Sequence, residues 1–368
     1  MLIPGYATPE GTARFRARFE ARLPGHFRQS GSLWISSIGL GTYLGEPTAT
    51  CDELYFTAAT RAVELGVNLF DTAINYRHQR SERAIGRALA AMVAAGNLRR
   101  DEVVLATKGG FLTFDTDEPE DPSSYFYEKL IRTGLVRPEE VAAGCHVMSP
   151  KYLAHQIELS RQNLGVETLD IYYVHNPETQ LGEGSHQEFY RRLRAAFETL
   201  EKAVAEGSIR VYGTATWNAY RHGPESREAM SLAEVRRVAE EVGGQDHHFR
   251  AVQLPFNLAM PEALVAMSQA WQGKQAAFLE VARASGLMVF ASACLMQGHL
   301  TKGLPAQIRE GFPELQTDAQ CAIQFVRSTP GITCALVGMS HREHVEENLA
   351  TALVAPLTLA QFRSLLTR

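Results

Sequence analysis

The run Leu169-Asp-Ile-Tyr-Tyr-Val-His175 lies between two helical patterns, Ser149–Leu164 and Gln187–Glu206. It is short, rich in aromatic and β-branched residues and almost continuously apolar. That reads as a strand buried on both faces, the pattern of a parallel sheet. Working outward, the same kind of run recurs at Leu33–Leu40, Val67–Asp71, Val103–Lys108, Ile209–Thr214, Ala251–Leu254, Met288–Ser292 and Cys334–Gly338. The remaining helical patterns are Asp52–Leu65, Ser81–Met92, Ser231–Val242, Gln275–Ser285, Thr317–Ser328 and Arg342–Ala352. Ser231-x-x-Glu234 is a capping-box signature. Eight strand–helix pairs without a break in composition predict an α/β chain with one (β/α)8 TIM barrel over residues 31–368. Residues 1–30 read as an N-terminal extension carrying one short helix, Thr12–Leu23, and no strand. A doubly wound sheet is the competing architecture. It needs a Gly-rich first turn, and Gly39-Leu-Gly41-Thr-Tyr-Leu-Gly45 places its third glycine one residue late for that role.

Composition narrows the function classes. The 41 acids outnumber 36 lysines and arginines, for a net charge of −5, which argues against a protein that coats nucleic acid. Five scattered cysteines with no C-x-x-C pair predict neither a disulfide framework nor a structural zinc site, and suit a reducing compartment. The N-terminus has no apolar core of a secretory signal, and the longest apolar stretch, Leu287–Met296, is far too short to span a bilayer. The expectation is a soluble, cytoplasmic protein with no nucleic-acid or membrane partner. No metal is expected; Asp246-His247-His248 reads as a polar loop.

In a barrel of this kind, reactive groups sit at the C-terminal ends of the strands. The second run ends in Asp71, with Tyr76 on the following loop; the third ends in Lys108 and the fourth in His175. Such a set suits proton delivery. A phenol titrates too high to donate readily at neutral pH, but a neighbouring ammonium stabilises phenolate. A carboxylate keeps that ammonium charged, and a histidine can orient a carbonyl oxygen. Together they would protonate the alkoxide formed when hydride attacks a carbonyl. No side chain supplies hydride, so a nicotinamide is required.

These residues resemble the aldo-keto reductase family. The resemblance rests on F-D-T-A-x-x-Y followed by S-E (Phe70–Glu82), T-K-G (Thr107–Gly109), the strand ending in His175, G-L-G-T-Y (Gly39–Tyr43), V-Q-L-P-F-N (Val252–Asn257) and V-G-M-S-x-x-x-x-V-E-E-N (Val337–Asn348). It runs from about Leu33 to Ala352, in order. It implies the (β/α)8 barrel, NADP(H)-dependent reduction of a small aldehyde or ketone, with NAD(H) as the other possible carrier, and a catalytic set of Asp71, Tyr76, Lys108 and His175, with Tyr76 as acid/base. On the cofactor side it places Gly41 and Thr42 beside the nicotinamide and Gln253 at the carboxamide. It sets Ser340, Glu347 and Asn348 around the 2′-phosphate and adenine, with Leu295, Gly298, Gly338, Arg342 and His344 completing the set. Ser340 to His344 would open a helix, where backbone N–H groups favour an anion. Tyr43, Phe111 and Trp217 are assigned to the substrate pocket.

Two stretches depart from the family pattern. Gly213-Thr-Ala-Thr-Trp217 carries Ala215 and Thr216 where members often have Ser and Asn. Ser292-Ala-Cys-Leu-Met lacks the aromatic that stacks on the nicotinamide, for which Trp217 is a candidate substitute. These departures keep two alternatives open: a lyase or isomerase using Tyr76 and His175 for proton transfer, and a nucleotide-binding regulatory subunit without turnover. The connection Gly109–Met148 is long and carries Phe111, Phe114, Tyr125, Phe126 and Tyr127. It is expected to emerge on the catalytic rim and wall the substrate pocket with those aromatics, its acids facing solvent. Cys294, on the same rim, reads as a buried, inert thiol.

Overall fold

In the computed structural model, residues 2–182 and 184–366 are described, and each of the eight expected runs contributes a barrel strand. In chain order the strands are β1 (Phe27–Ser30), β2 (Leu33–Ser36), β3 (Ile38–Gly41), β4 (Leu69–Asp71), β5 (Val104–Gly109), β6 (Leu169–His175), β7 (Ile209–Ala215), β8 (Phe249–Pro255), β9 (Gln269–Trp271), β10 (Lys274–Ala276), β11 (Met288–Ser292) and β12 (Cys334–Gly338). β3, β4, β5, β6, β7, β8, β11 and β12 close into a barrel in that order, with β12 returning to β3. Every neighbouring pair is parallel, so all eight strand ends reach one rim.

The apolar runs are continuous because both faces of each strand are buried. Leu69, Val104, Ala106, Ile171, Tyr173, Phe290 and Leu336 fill the interior. Their alternating neighbours Phe70, Leu105, Tyr172, Val289 and Val337 pack outward against the helices. Ser231 caps Leu232–Gly243 through Glu234 N–H at 3.3 Å, as the capping box predicts. Among the described residues, no helix is long and apolar enough to cross a membrane.

The N-terminal segment differs from its expectation. Its helix is Pro9–Ala17, capped by Thr8, and β1 pairs antiparallel with β2. The expected first strand, Leu33–Leu40, is therefore two strands, of which only β3 belongs to the barrel. The segment packs on the end of the barrel opposite the rim. Ala7 and Ile35 join the interior cluster, Ala7 N–H donates to Asp170 at 2.7 Å, and Arg28 donates to the carbonyls of Arg327 and Ile332. A second difference falls at the expected helix Gln275–Ser285. Gln272 and Gly273 both take positive φ and turn β9 into β10, so the helix starts later, at Phe278. That two-residue turn is a hairpin signal.

The long connection carries a short helix, Pro122–Phe126, capped by Asp121, and an apolar cluster of its own around Val136, Val147 and Tyr152. Phe114 stacks on Phe126 at 4.8 Å and meets Tyr125 and His78 edge-on. These rings satisfy one another, and of the five aromatics only Phe111 reaches the central cavity. Asp115 and Asp117 face solvent, paired with Arg83 at 2.7 Å and Arg80 at 3.3 Å.

Candidate active site

Asp71 and Lys108 end adjacent strands and meet beneath the rim. Lys108 Nζ lies 2.7 Å from Asp71 Oδ2 and donates to the Thr72 carbonyl at 2.8 Å. Asp71 Oδ1 accepts from Gln253 Nε2 at 2.6 Å. Both Asp71 oxygens are thus engaged, and Lys108 has no exposed surface. Burial pushes the Asp71 carboxyl up and the Lys108 ammonium down, while their attraction opposes both shifts. The geometry is that of an ionised pair.

Tyr76 is delivered by a loop stitched to β5: Thr72 N–H donates to Ala106 O at 2.9 Å and Ile74 N–H to Lys108 O at 3.2 Å. The three residues after it, Arg77, His78 and Gln79, all have left-handed φ of 51°, 55° and 70°, a costly reversal that needs anchoring. Buried Arg77 supplies it, donating to the carbonyls of Glu46 and Thr48 and pairing with Asp52. The result places the Tyr76 ring 4.7 Å from Lys108 Nζ, edge-on to Tyr43 at 5.1 Å and to His175 at 5.7 Å. Burial and the Asp71 carboxylate hold the phenol well above its ordinary titration range.

His175 is buried and meets Phe111 edge-on at 5.0 Å. Burial, then the Lys108 charge, push its imidazole well below the usual range, so it is neutral at physiological pH. Its Nδ1 has no partner among the described residues. Three residues on, Glu178 accepts from the backbone N–H groups of Trp217 and Asn218. Burial raises its carboxyl to about 7. Because the folded value lies above the unfolded one, the stability linked to Glu178 is full below about pH 4.5 and is lost as pH rises toward 7. Glu178→Gln keeps the shape without the charge. Its stability is expected to come close to the parent's near pH 5 and to exceed it at pH 8, by up to about 3 kcal/mol, with the thermal midpoint moving in the same sense. Parallel melting curves at both pH values would refute the assignment.

Asp71, Tyr76 and His175 line one cavity of about 670 Å³. It runs from Phe111, Tyr76, His175 and Trp217 past Gly41, Thr42, Gln253, Leu295 and Gly298 to Gly338, His344, Glu347 and Asn348. Tyr43 and Trp217 stand half-exposed at its mouth. Of the residues singled out in the sequence, Lys108, Ser340 and Arg342 are not in its wall; Lys108 lies behind it, under the Tyr76 ring. Arg342 is exposed and pairs with Glu346 at 3.0 Å, which also binds Arg61 at 2.8 Å. Cys294 is in the wall but buried, its thiol pushed up to about 12. Ala215 gives the cavity no side-chain polar atom, and Thr216 N–H donates to Gln253 O at 2.8 Å. The Asp246–His248 loop ties into Glu201, with His248 Nδ1 at 2.7 Å. Among the described residues, no group of three or more His, Cys, Asp and Glu is placed to hold a metal.

Sequence reasoning missed Arg77, Glu178, His146 and Lys302. Lys302 adds an ammonium to the cavity wall on the turn after β11. That turn has three non-glycine residues at positive φ, Ala293, Met296 and Gln297, and no local sequence pattern announced it. Gln79 and Arg77 likewise carried no turn signature.

Comparison with known proteins adds the lineage. The chain is 26% identical over 190 residues to the NADH-specific methylglyoxal reductase of Escherichia coli (strain K12), spanning about half the length of that relative (49%) and 50% of its own. It is 23% identical over 346 residues, 90% of each chain, to YqkF, an uncharacterized oxidoreductase of Bacillus subtilis (strain 168). An aldo/keto reductase of Klebsiella pneumoniae, solved with NADP and acetate, superposes with a TM-score of 0.62 over 93% of this chain and 94% of that one, at 22% identity. The aldo-keto reductase AKR11C1 of Bacillus halodurans gives 0.63 over 93% and 95%, at 19% identity. The model of the aldo/keto reductase family matches residues 37–310, covering seven of the eight barrel strands and the whole Asp71–His175 constellation, and the chain belongs to that family.

Proposed function

We propose that this oxidoreductase reduces an aldehyde or ketone with NADP(H), or oxidises the corresponding alcohol, with Tyr76 as the general acid/base. The observation that carries this reading is the Asp71–Lys108 pair set beneath the Tyr76 ring, with His175 beside it at one end of a long cavity. The cavity wall fits a dinucleotide. Gly41, Gly298 and Gly338 present backbone without side chains, Lys302 offers positive charge and His344 a ring nitrogen for hydrogen bonding where phosphates would run. A bound nicotinamide supplies the hydride. The chain's own groups do the rest. Tyr76 gives its proton to the substrate oxygen, and Lys108 stabilises the phenolate left behind. Asp71 keeps Lys108 charged, and neutral His175 orients the carbonyl oxygen. Phe111, Trp217 and Tyr43 restrict water around the reacting carbon.

The carrier is expected to be NADP(H), which neighbouring structures of the family hold, although one relative is named as NADH-specific. The Glu346 carboxylate competes for Arg342, so the preference for the 2′-phosphate should be modest, about tenfold or roughly 1.4 kcal/mol. Fluorescence titration of both nucleotides at several salt concentrations tests it. The NADP(H) advantage should shrink as salt rises; equal affinities at low salt would remove it. Oxidation of NADPH with a panel of aldehydes tests the reaction itself. Binding without turnover would instead favour a regulatory subunit, and no binding would favour a proton-transfer enzyme.

A further inference from the structure

We infer that His146, brought by the long connection after β5, is a positioning residue that locks the peptide carrying His175 through a buried relay from Arg192. This rests on the reading of His175 as part of the reaction site. The relay is continuous. Arg192 Nη1 donates to Gln180 Oε1 at 2.6 Å. Gln180 Nε2 contacts His146 Nδ1 at 2.9 Å, and His146 Nε2 lies 2.7 Å from the His175 carbonyl.

The arginine sets the sense of every link. A guanidinium only donates, so the facing Gln180 atom is the oxygen and the other end is the NH2. His146 Nδ1 therefore accepts, the proton sits on Nε2, and Nε2–H donates to the His175 carbonyl. Burial pulls the His146 imidazole down to about 4 and keeps it neutral, with a single ring proton for the partners to place.

The bonded peptide is held from both sides. Its carbonyl is taken by His146, and its N–H, from Asn176, donates to Ala215 O at 2.6 Å. Asn176 has a left-handed φ of 42°, a conformation that asparagine tolerates better than other side-chain-bearing residues. The His175 ring lacks a hydrogen bond at Nδ1, so no polar partner orients it there. Its direction comes from the backbone and from the edges of Phe111 and Tyr76. Gly110 makes room for the arrangement: a Cβ there would lie 2.7 Å from His146 Nε2, at a φ of +133°. The connection that supplies Phe111 thus also supplies His146. Two of its residues grip His175, one by the ring and one by the peptide.

The test uses the full-length protein and three variants. His146→Phe keeps the bulk and removes both hydrogen bonds. His146→Gln restores a donor near the position of Nε2. Gln180→Met breaks the relay without touching the His175 peptide. His146→Phe is expected to lower kcat about 10- to 100-fold, the cost of misplacing a reacting group by about 1 Å. NADPH affinity and the circular dichroism spectrum should stay at parent values. His146→Gln should recover most of the loss, and Gln180→Met should fall between them. Parent-level kcat in His146→Phe, or no recovery in His146→Gln while both bind NADPH normally, overturns the relay. Tyr76→Phe is measured alongside. If it retains activity, the function reading fails and takes the relay with it. If it is inactive while His146→Phe is normal, the relay alone fails.

Discussion

Tyr76→Phe is expected to reduce turnover roughly 10²- to 10⁴-fold, the range supplied by general acid–base catalysis. The change removes one oxygen and leaves the ring against Tyr43 and His175, so stability and nucleotide affinity should hold. The loss should appear equally in kcat and kcat/KM, as for an interaction made only in the transition state. Because burial and the Asp71 carboxylate keep the phenol protonated well above its usual range, the parent's reduction rate should show no titration of Tyr76 between pH 6 and 9. A variant with most of its activity, measured as NADPH oxidation, would remove Tyr76 from the mechanism.

The largest stability effect belongs to Lys108→Met. It leaves the Asp71 carboxylate buried without its ion-pair partner, a loss of about 3–5 kcal/mol in comparable cases. The penalty has a defined pH dependence. Without Lys108, only the Gln253 hydrogen bond opposes burial at Asp71, and its folded pKa, already raised in the parent, rises further above the unfolded value. The variant should therefore be least impaired below about pH 4 and lose stability progressively as pH rises. Asp71→Asn added to Lys108→Met should recover part of the loss at pH 8, since no charge then remains to bury. Urea unfolding of the single and double variants at pH 5 and 8 measures both effects. A single variant as stable as the parent at pH 8 would mean that the pair is not ionised. Activity should fall in both, because the ammonium beneath the phenol is gone.

How much of this was legible in the sequence depends on the range of the interactions that fix each element. The barrel strands were readable because burial on both faces makes each of them an apolar run, as in β5 and β6. Asp71, Lys108 and His175 were readable because strand ends in such a barrel share a rim. Arg77 was not: its role follows from a left-handed backbone and from carbonyls on Glu46 and Thr48, which no local pattern encodes. His146 was hidden for the same reason, its partners lying 29 and 34 residues away. The hairpin of β1 and β2 has no such signal, because β1 reads Phe-Arg-Gln-Ser and lacks an apolar period. The aromatics of the long connection misled in the opposite direction. Composition suggested a wall for the cavity, but rings can pack on one another instead, and half-buried Phe114, Tyr125 and Phe126 do so.

The N-terminal plug ties the beginning of the chain to its end. Arg28 holds carbonyls on Arg327 and Ile332, across 299 and 304 residues, and Ala7 waits for Asp170, 163 residues on. The partners of Arg28 are far more distant in sequence than the Asp101 and Glu102 carboxylates that hold Arg14 and Arg18. Contacts of such separation carry the greatest loop-closure cost and slow the folding step that forms them. Arg28 therefore locks only once the helix Asp318–Ser328 and the turn at Ile332 are in place, whereas Arg14 and Arg18 find Asp101 and Glu102 much nearer in the chain, so the N-terminal segment seats in two stages and its last latch closes late.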